Sequence, residues 1–238
     1  VKIKAVFLLL LVLGCGSVRG QESHEVEYLT IVPLGVDKGL RQSMVSSVVQ
    51  DLNGLIWMTT GDGLHYYDGS EFKAFRVPVN ALYSHSDNLL RGMVEGKSGT
   101  LTLSSSSSLL NFNTATGSFS IAYRKEGSHP NLMGELIDDF PAAWINRNEL
   151  CLVRETDVSM VKLVFQESNP FPNDFLPLTS LKSAQNELLI SGSQGVVALD
   201  LNRNNAGSAI RARWIPMEGL QSISRDRTGD IFILAKGK

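Results

Sequence analysis

One short pattern returns along this chain at intervals of 38 to 49 residues. The first instance, Gly54-Leu55-Ile56-Trp57-Met58-Thr59-Thr60-Gly61-Asp62-Gly63-Leu64-His65-Tyr66-Tyr67-Asp68, reads as a turn, an apolar strand, a second turn and a second strand. Its echoes begin at Gly99-Thr100-Leu101-Thr102-Leu103, Asn148-Glu149-Leu150-Cys151-Leu152, Asn186-Glu187-Leu188-Leu189-Ile190 and Gly229-Asp230-Ile231-Phe232-Ile233. In the fourth copy Gly195 stands at the place of Gly63 and Asp200 at the place of Asp68. The anchors 54, 99, 148, 186 and 229 are 45, 49, 38 and 43 residues apart, the period of a propeller blade at roughly 40–50 residues. A unit of that size cannot cover both faces of its own sheet, so such units stack.

Position by position, Ile56, Leu101, Leu150, Leu188 and Ile231, and two places later Met58, Leu103, Leu152, Ile190 and Ile233, are expected on one face of their strands. Trp57, Thr102, Cys151, Leu189 and Phe232 fall between them, on the face turned to a neighbouring blade. Cys151 therefore reads as a small buried residue rather than a reactive thiol. Clusters of Gly, Asn, Asp and Ser separate the strands, and no window sustains a helical period. The fold expected is all-β: an incomplete β-propeller of four-stranded antiparallel blades, about four and a half of them over residues 21–238, with the innermost strand of each blade just before its anchor turn. With 43% hydrophobic residues the chain can bury a core, and a net charge of -2 argues against a nucleic-acid partner.

The first twenty residues are excluded from that fold. Lys2 and Lys4 precede the apolar run from Ala5 to Leu13, and small residues follow to Gly20, the three-part build of a secretory signal peptide. Val12-Leu13-Gly14-Cys15 also has the form of a lipoprotein box, which would lipidate Cys15. Removing the segment takes Lys2, Lys4 and Arg19 with it and moves the charge to -5. A periplasmic location is expected, where Cys151 has no second cysteine to pair with.

The first copy carries a recognisable signature. Residues Gly39-Leu40-Arg41-Gln42-Ser43-Met44-Val45-Ser46-Ser47-Val48-Val49-Gln50-Asp51, then Asn53-Gly54-Leu55-Ile56-Trp57, Asp62-Gly63-Leu64 and Tyr67-Asp68-Gly69 resemble the two-component regulator propeller repeat. It departs from the usual pattern at Ser43, where Asn is common, and at Thr59, where Gly is. The resemblance is strong over residues 39 to 75 and continues as bare periodicity from 89 to 238. It implies the periplasmic sensor region of a Bacteroidetes-type hybrid two-component histidine kinase, responding to an oligosaccharide or other small molecule released during glycan breakdown. It also implies further blades, a membrane anchor and a kinase in the full-length protein, which would act as a homodimer. Residues 26–32 are expected to form a leading strand that joins a last blade, while the copy at Gly229 holds only two strands. The chain is thus expected to be a fragment, poorly soluble or oligomeric until two or three further blades are added.

No catalytic or metal constellation emerges from the residues. His24, His65, His85 and His129 share no ligand spacing, Asp51-Leu52-Asn53-Gly54 lacks the acidic residue that would close a calcium loop, and no cofactor fingerprint occurs. Asp138-Asp139, if extended, would point to opposite faces and could not flank one bond. Ser104 to Ser108 has no nucleophile elbow and falls at a hairpin tip. Propeller ligands generally bind over the central channel, on loops entering the innermost strands, which here selects Arg41, Gln42 and Ser43 in the first copy and Ser86, Asp87 and Asn88 in the second as candidate ligand contacts. The expected role is non-catalytic sensing. The alternatives are an exported propeller enzyme of lyase or glycosidase type, or a decayed gene fragment.

Overall fold

The alternating apolar segments form antiparallel hairpins throughout the computed structural model, which describes residues 31–236 except 52, 97–98, 155–156, 166–170, 173 and 203–208. The chain divides into two units, Val1–Pro33 and Leu34–Lys238. Of the first unit only residues 31–33 are described, without regular structure. The expected signal peptide, Cys15, His24 and residues 26–30 of the leading strand lie outside the described residues.

In the second unit, blade one comprises β1 (Val45–Gln50), β2 (Ile56–Thr60), β3 (Gly63–Tyr67) and β4 (Phe72–Phe75). Blade two comprises β5 (Gly92–Glu95), β6 (Thr100–Ser104), β7 (Ser108–Asn113) and β8 (Ser118–Arg124). Blade three comprises β9 (Asn131–Ile137), β10 (Phe140–Asn146), β11 (Glu149–Val153) and β12 (Val158–Phe165), and blade four β13 (Pro177–Lys182), β14 (Glu187–Gly192), β15 (Gly195–Asp200) and β16 (Ala209–Pro216). A fifth sheet pairs β17 (Leu220–Arg225) with β18 (Ile231–Ala235). Within each blade the strands lie in chain order and antiparallel. Two 3-10 turns, Val36–Lys38 and His85–Asn88, lie before the first strands of blades one and two.

Four of the five first hairpins share one turn. The backbone N–H of Asp51, Gly96, Ser183 and Asp226 donates to the carbonyl four residues on, at 3.0, 2.8, 2.8 and 3.1 Å. Gly54, Gly99, Asn186 and Gly229 hold the left-handed position of that turn, which glycine and asparagine adopt at least cost. The side-chain oxygens of Asp51, Ser183 and Asp226 accept the N–H groups two and four residues on, an Asx-type closure. No calcium chemistry is needed to account for it.

Blade three departs from this and corrects the repeat. Its β9–β10 loop is only Asp138 and Asp139, both at positive φ (52° and 66°), with Ile137 paired to Phe140. That is the backbone of a type I′ hairpin, which needs positive φ at both central residues. Asp138 and Asp139 are therefore a hairpin tip, not a stretch of extended strand. The anchor Asn148 lies in the next turn, between β10 and β11, so the expected first hairpin of the third copy is in fact its second. The third strand of a blade alternates apolar residues just as the second does, and without a Gly-bearing turn at 138–139 the sequence match settles on the wrong hairpin. Cys151 consequently occupies the place of His65 rather than that of Trp57.

The blades are joined through their faces. Trp57 and Leu64 of blade one pack with Leu101, Leu103, Leu110 and Phe112 of blade two, and an aromatic chain links Trp57, Tyr66, Phe75, Phe112 and Phe119 at ring separations of 4.8–6.0 Å. Ile56 and Met58 face away from this seam and are half-buried. Blades three and four enclose the largest cluster, in which Phe171 and Phe175 of the connecting segment pack with Trp144 and Trp214. Here the two four-stranded blades are also joined along their outer edges. The long outer strands β12 and β16 pair in parallel, Lys162 to Phe165 against Ala209 to Ala212, merging the two blades into one eight-stranded sheet around those aromatics. In β18 of the fifth sheet Phe232, Ile233 and Leu234 are exposed.

Phe112→Ala, which empties a fully buried ring site between two blades, is expected to cost ~3–5 kcal/mol in urea unfolding. Phe232→Ala should change stability by less than ~1 kcal/mol in the same assay, since its ring is 57% exposed.

Candidate functional site

The first strand of each of blades one to four faces a common cavity of about 250 Å³. Its polar wall is Ser46 and Ser47 from β1, Asn131 from β9, and Thr179 and Ser180 from β13, with Met93, Leu132, Met133 and Leu178 as the apolar part. Close approach of the inner strands closes this wall. The Asn131 side-chain amide donates to the Pro177 carbonyl at 2.7 Å, and the Gly134 N–H donates to Ser180 Oγ at 3.2 Å. A Cβ on Gly92 would meet Ser104 Oγ at 3.0 Å and Leu132 Cβ at 3.5 Å, so glycine is what lets β5 lie this near β9. Arg91 enters the same cavity just before β5; its backbone N–H is tied to the Ser104 carbonyl at 2.9 Å. Its guanidinium is exposed and has no hydrogen-bond or ion-pair partner among the described residues.

The six loop residues selected from the sequence sit beside this cavity and not on its lining. Arg41 Nε pairs with Asp62 Oδ2 at 3.1 Å, and the Arg41 N–H donates to His65 Nε2 at 3.3 Å. Gln42 Oε1 accepts the Gly61 N–H at 2.8 Å, and Ser43 is exposed. These contacts bind the segment entering β1 to the β2–β3 hairpin. They cover His65, fully buried, whose imidazole burial holds below its ordinary value, with the Asp62 carboxylate opposing.

Ser86 Oγ shares a hydrogen bond with Ser84 Oγ at 2.7 Å. Asn88 clamps the backbone of Val77 from both sides, accepting its N–H at 2.8 Å and donating to its carbonyl at 2.9 Å. Asp87 is fully buried and is the centre of a polar network. Its carboxylate accepts from Ser108 Oγ at 2.6 Å, Ser84 N at 2.8 Å and Ser105 Oγ at 3.3 Å, and pairs with Arg124 Nη2 at 2.6 Å. Burial alone would raise this carboxyl; the hydrogen bonds from Ser108, Ser84 and Arg124 prevail and hold it below the usual carboxylate range. The serine run from Ser104 to Ser108 thus has a structural use, since Ser105 and Ser108 seat Asp87 over the β6–β7 hairpin.

The channel residues Ser46, Ser47, Arg91, Asn131, Thr179 and Ser180 were not selected from the sequence. Their signal was available: all six lie on, or one residue before, the strand that precedes each first hairpin, but the misplaced third anchor hid β9 from that pattern. No group of three or more His, Cys, Asp or Glu residues with metal-binding proximity occurs among the described residues. Burial pushes the Cys151 thiol up to about 12.

No family model and no curated protein matches the chain. Solved structures do match its fold. A streptogramin B lyase superposes with a TM-score of 0.59 at 14% identity over 80% of this chain, and virginiamycin B lyase from Staphylococcus aureus with 0.59 at 15% over 80%. An extracellular domain assigned to a hybrid two-component system of B. thetaiotaomicron gives 0.62 at 20% identity over 85%. The chain spans 62% of either lyase and 29% of the sensor domain. These likenesses show the propeller fold.

Asp87→Asn is expected to cost about 3 kcal/mol at pH 7, because it leaves Arg124 and the hydroxyls of Ser84, Ser105 and Ser108 without their charged acceptor. Asp87 titrates lower in the folded chain than in the unfolded one. Its contribution is therefore complete above the unfolded carboxyl pKa of about 4 and fades as pH falls through the folded value. Urea unfolding of both proteins between pH 3 and pH 7, taken as rough limits from the same carboxyl range, should show the gap closing at the acid end.

Proposed function

We propose that the chain is the ligand-reading part of an exported sensor and is itself non-catalytic. The observation that carries this reading is the channel wall: hydroxyls, one amide and a guanidinium with no partner among the described residues, and no carboxylate or imidazole among its lining residues. Such a wall can hold a ligand by hydrogen bonds and a charge-assisted contact, while acid–base chemistry needs a titratable pair within reach of one bond. The ligand that fits is a saccharide bearing a carboxylate, its hydroxyls on Ser46, Ser47, Thr179 and Ser180 and its anion on Arg91. Arg41, Ser43 and Ser86 keep accessible groups beside the mouth and extend the contact surface, while Gln42, Asp87 and Asn88 set the loops.

The assignment to a two-component system is supported by the repeat signature of residues 39–75 and by the fold shared with a sensor's extracellular domain. In that setting the chain lies in the periplasm, its remaining blades and a kinase belong to the full-length protein, and two copies work together. The rival reading, an exported propeller lyase, draws on the fold shared with the streptogramin lyases.

Isothermal titration with galacturonic acid and digalacturonic acid tests the proposal. Binding to the wild type is expected, weakened at least ~10-fold in Arg91→Ala, equivalent to ~1.4 kcal/mol, with the sugar recovered unchanged. Equal binding by Arg91→Ala would remove the channel from the account, and conversion of digalacturonate to an unsaturated product would favour the lyase.

A further inference from the structure

The seam between blades two and three breaks the rule followed by the other blades. The residue pair at the middle of β2 and β3 that faces the next blade is Trp57 with Tyr66; in blade three it is Ala142 with Leu152, and in blade four Leu189 with Ala198. In blade two the pair is Thr102 with Asn111. Two polar side chains stand where the other seams are apolar, and beside them a cleft of about 390 Å³ opens. This falls within the ~300–1,000 Å³ of small-molecule sites.

Thr102 Oγ1 donates to Asn111 Oδ1 at 3.0 Å, which leaves the Asn111 NH₂ group as a donor with no other hydrogen bond among the described residues. Opposite lie Pro141 and Val153, and Phe140 with the Arg154 guanidinium 4.7 Å from its ring centre. Asp139 and Asp157 also line the cleft. The lining thus combines donors and acceptors at short spacing, an apolar wall and no excess of positive charge. A neutral ring with hydroxyls along its edge and C–H groups on its faces matches all three properties; an anion does not, and a purely apolar ligand would strand the polar pair.

We infer that this cleft is a second ligand site, distinct from the channel, that binds a neutral monosaccharide or disaccharide. Asn111, oriented by the buried Thr102 hydroxyl, hydrogen-bonds the ring hydroxyls, and Pro141 and Val153 cover a ring face. The choice of a sugar rests on the sensor reading; the location does not.

The test titrates glucose, galactose, maltose and cellobiose into the wild type, Arg91→Ala and the double variant Thr102→Leu with Asn111→Ala, which writes the blade-four pair into blade two. At least one of these sugars is expected to bind the wild type and Arg91→Ala alike and to bind the double variant at least ~10-fold more weakly. Thr102→Val, which removes only the hydroxyl, should weaken binding in the same direction and covers the case of a double variant that fails to fold. Equal binding by wild type and double variant overturns the cleft, as does loss in Arg91→Ala alone, which would return the sugar to the channel. If none of the four sugars binds, the cleft proposal fails while galacturonate binding still decides the sensor reading separately.

Discussion

A four-stranded blade has two broad faces and no helix to cover either, so everything in this structure depends on faces meeting faces. The contact between Trp57 and Phe112 shows how that works. Trp57 is 1% exposed although its blade has no described neighbour on the other side, because the whole ring lies against blade two, with its Nε1 satisfied by Asp51 at 2.8 Å. The same carboxylate closes the first hairpin through the N–H groups of Asn53 and Leu55. Turn chemistry and seam packing are thus held by one residue, and the short sheet gains its stability from apolar area removed at the seam rather than from its own ladder. Blades three and four carry the principle further. Phe171 and Phe175 fill the space between their faces, and parallel pairing of β12 with β16 seals it on the outside.

Most of this was legible in the sequence, and the misreading has a local cause. Glycine or asparagine at positive φ marks the first hairpin of four blades, and those four anchors land in the right turn. Asp138 and Asp139 reach the same backbone region without glycine, because a short polar side chain tolerates it. A two-residue loop there also deletes the spacing on which self-similarity depends. The parallel β12–β16 pairing could not be read, since nothing in the residues of an outer strand specifies a partner more than forty positions away. At the site, chain position led to the loops before β1 and β5 but not to what their side chains do. Asp87 and Asn88 look like ligand contacts in sequence and serve as internal fasteners in the fold, while Arg91, one residue before β5, enters the channel.

The polar features divide along the same lines. Where a seam is apolar, polar groups lie at its ends and hold loops, as Arg41 and Asp62 do over His65. Where the seam itself is polar, between blades two and three, packing has been exchanged for a cleft. The apolar cluster left there is small, with Leu109, Ala143, Cys151 and Val153 as its buried members. The seam between blade four and the fifth sheet is also small, with Leu181, Val196, Leu220 and Ile223 buried, so stability is unevenly spread and local opening is expected at both of these seams.

Cys151 sits inside the seam between blades two and three, with its thiol fully buried, and reports on its opening directly. The decisive measurement is the rate of thiol labelling of Cys151 in a Cys15→Ser background, followed in native buffer and in urea concentrations too low to unfold the chain. The account predicts labelling through a local opening whose free energy is clearly smaller than that of global unfolding and depends only weakly on urea. Labelling that occurs only with global unfolding, at the same free energy and with the same urea dependence, would contradict it.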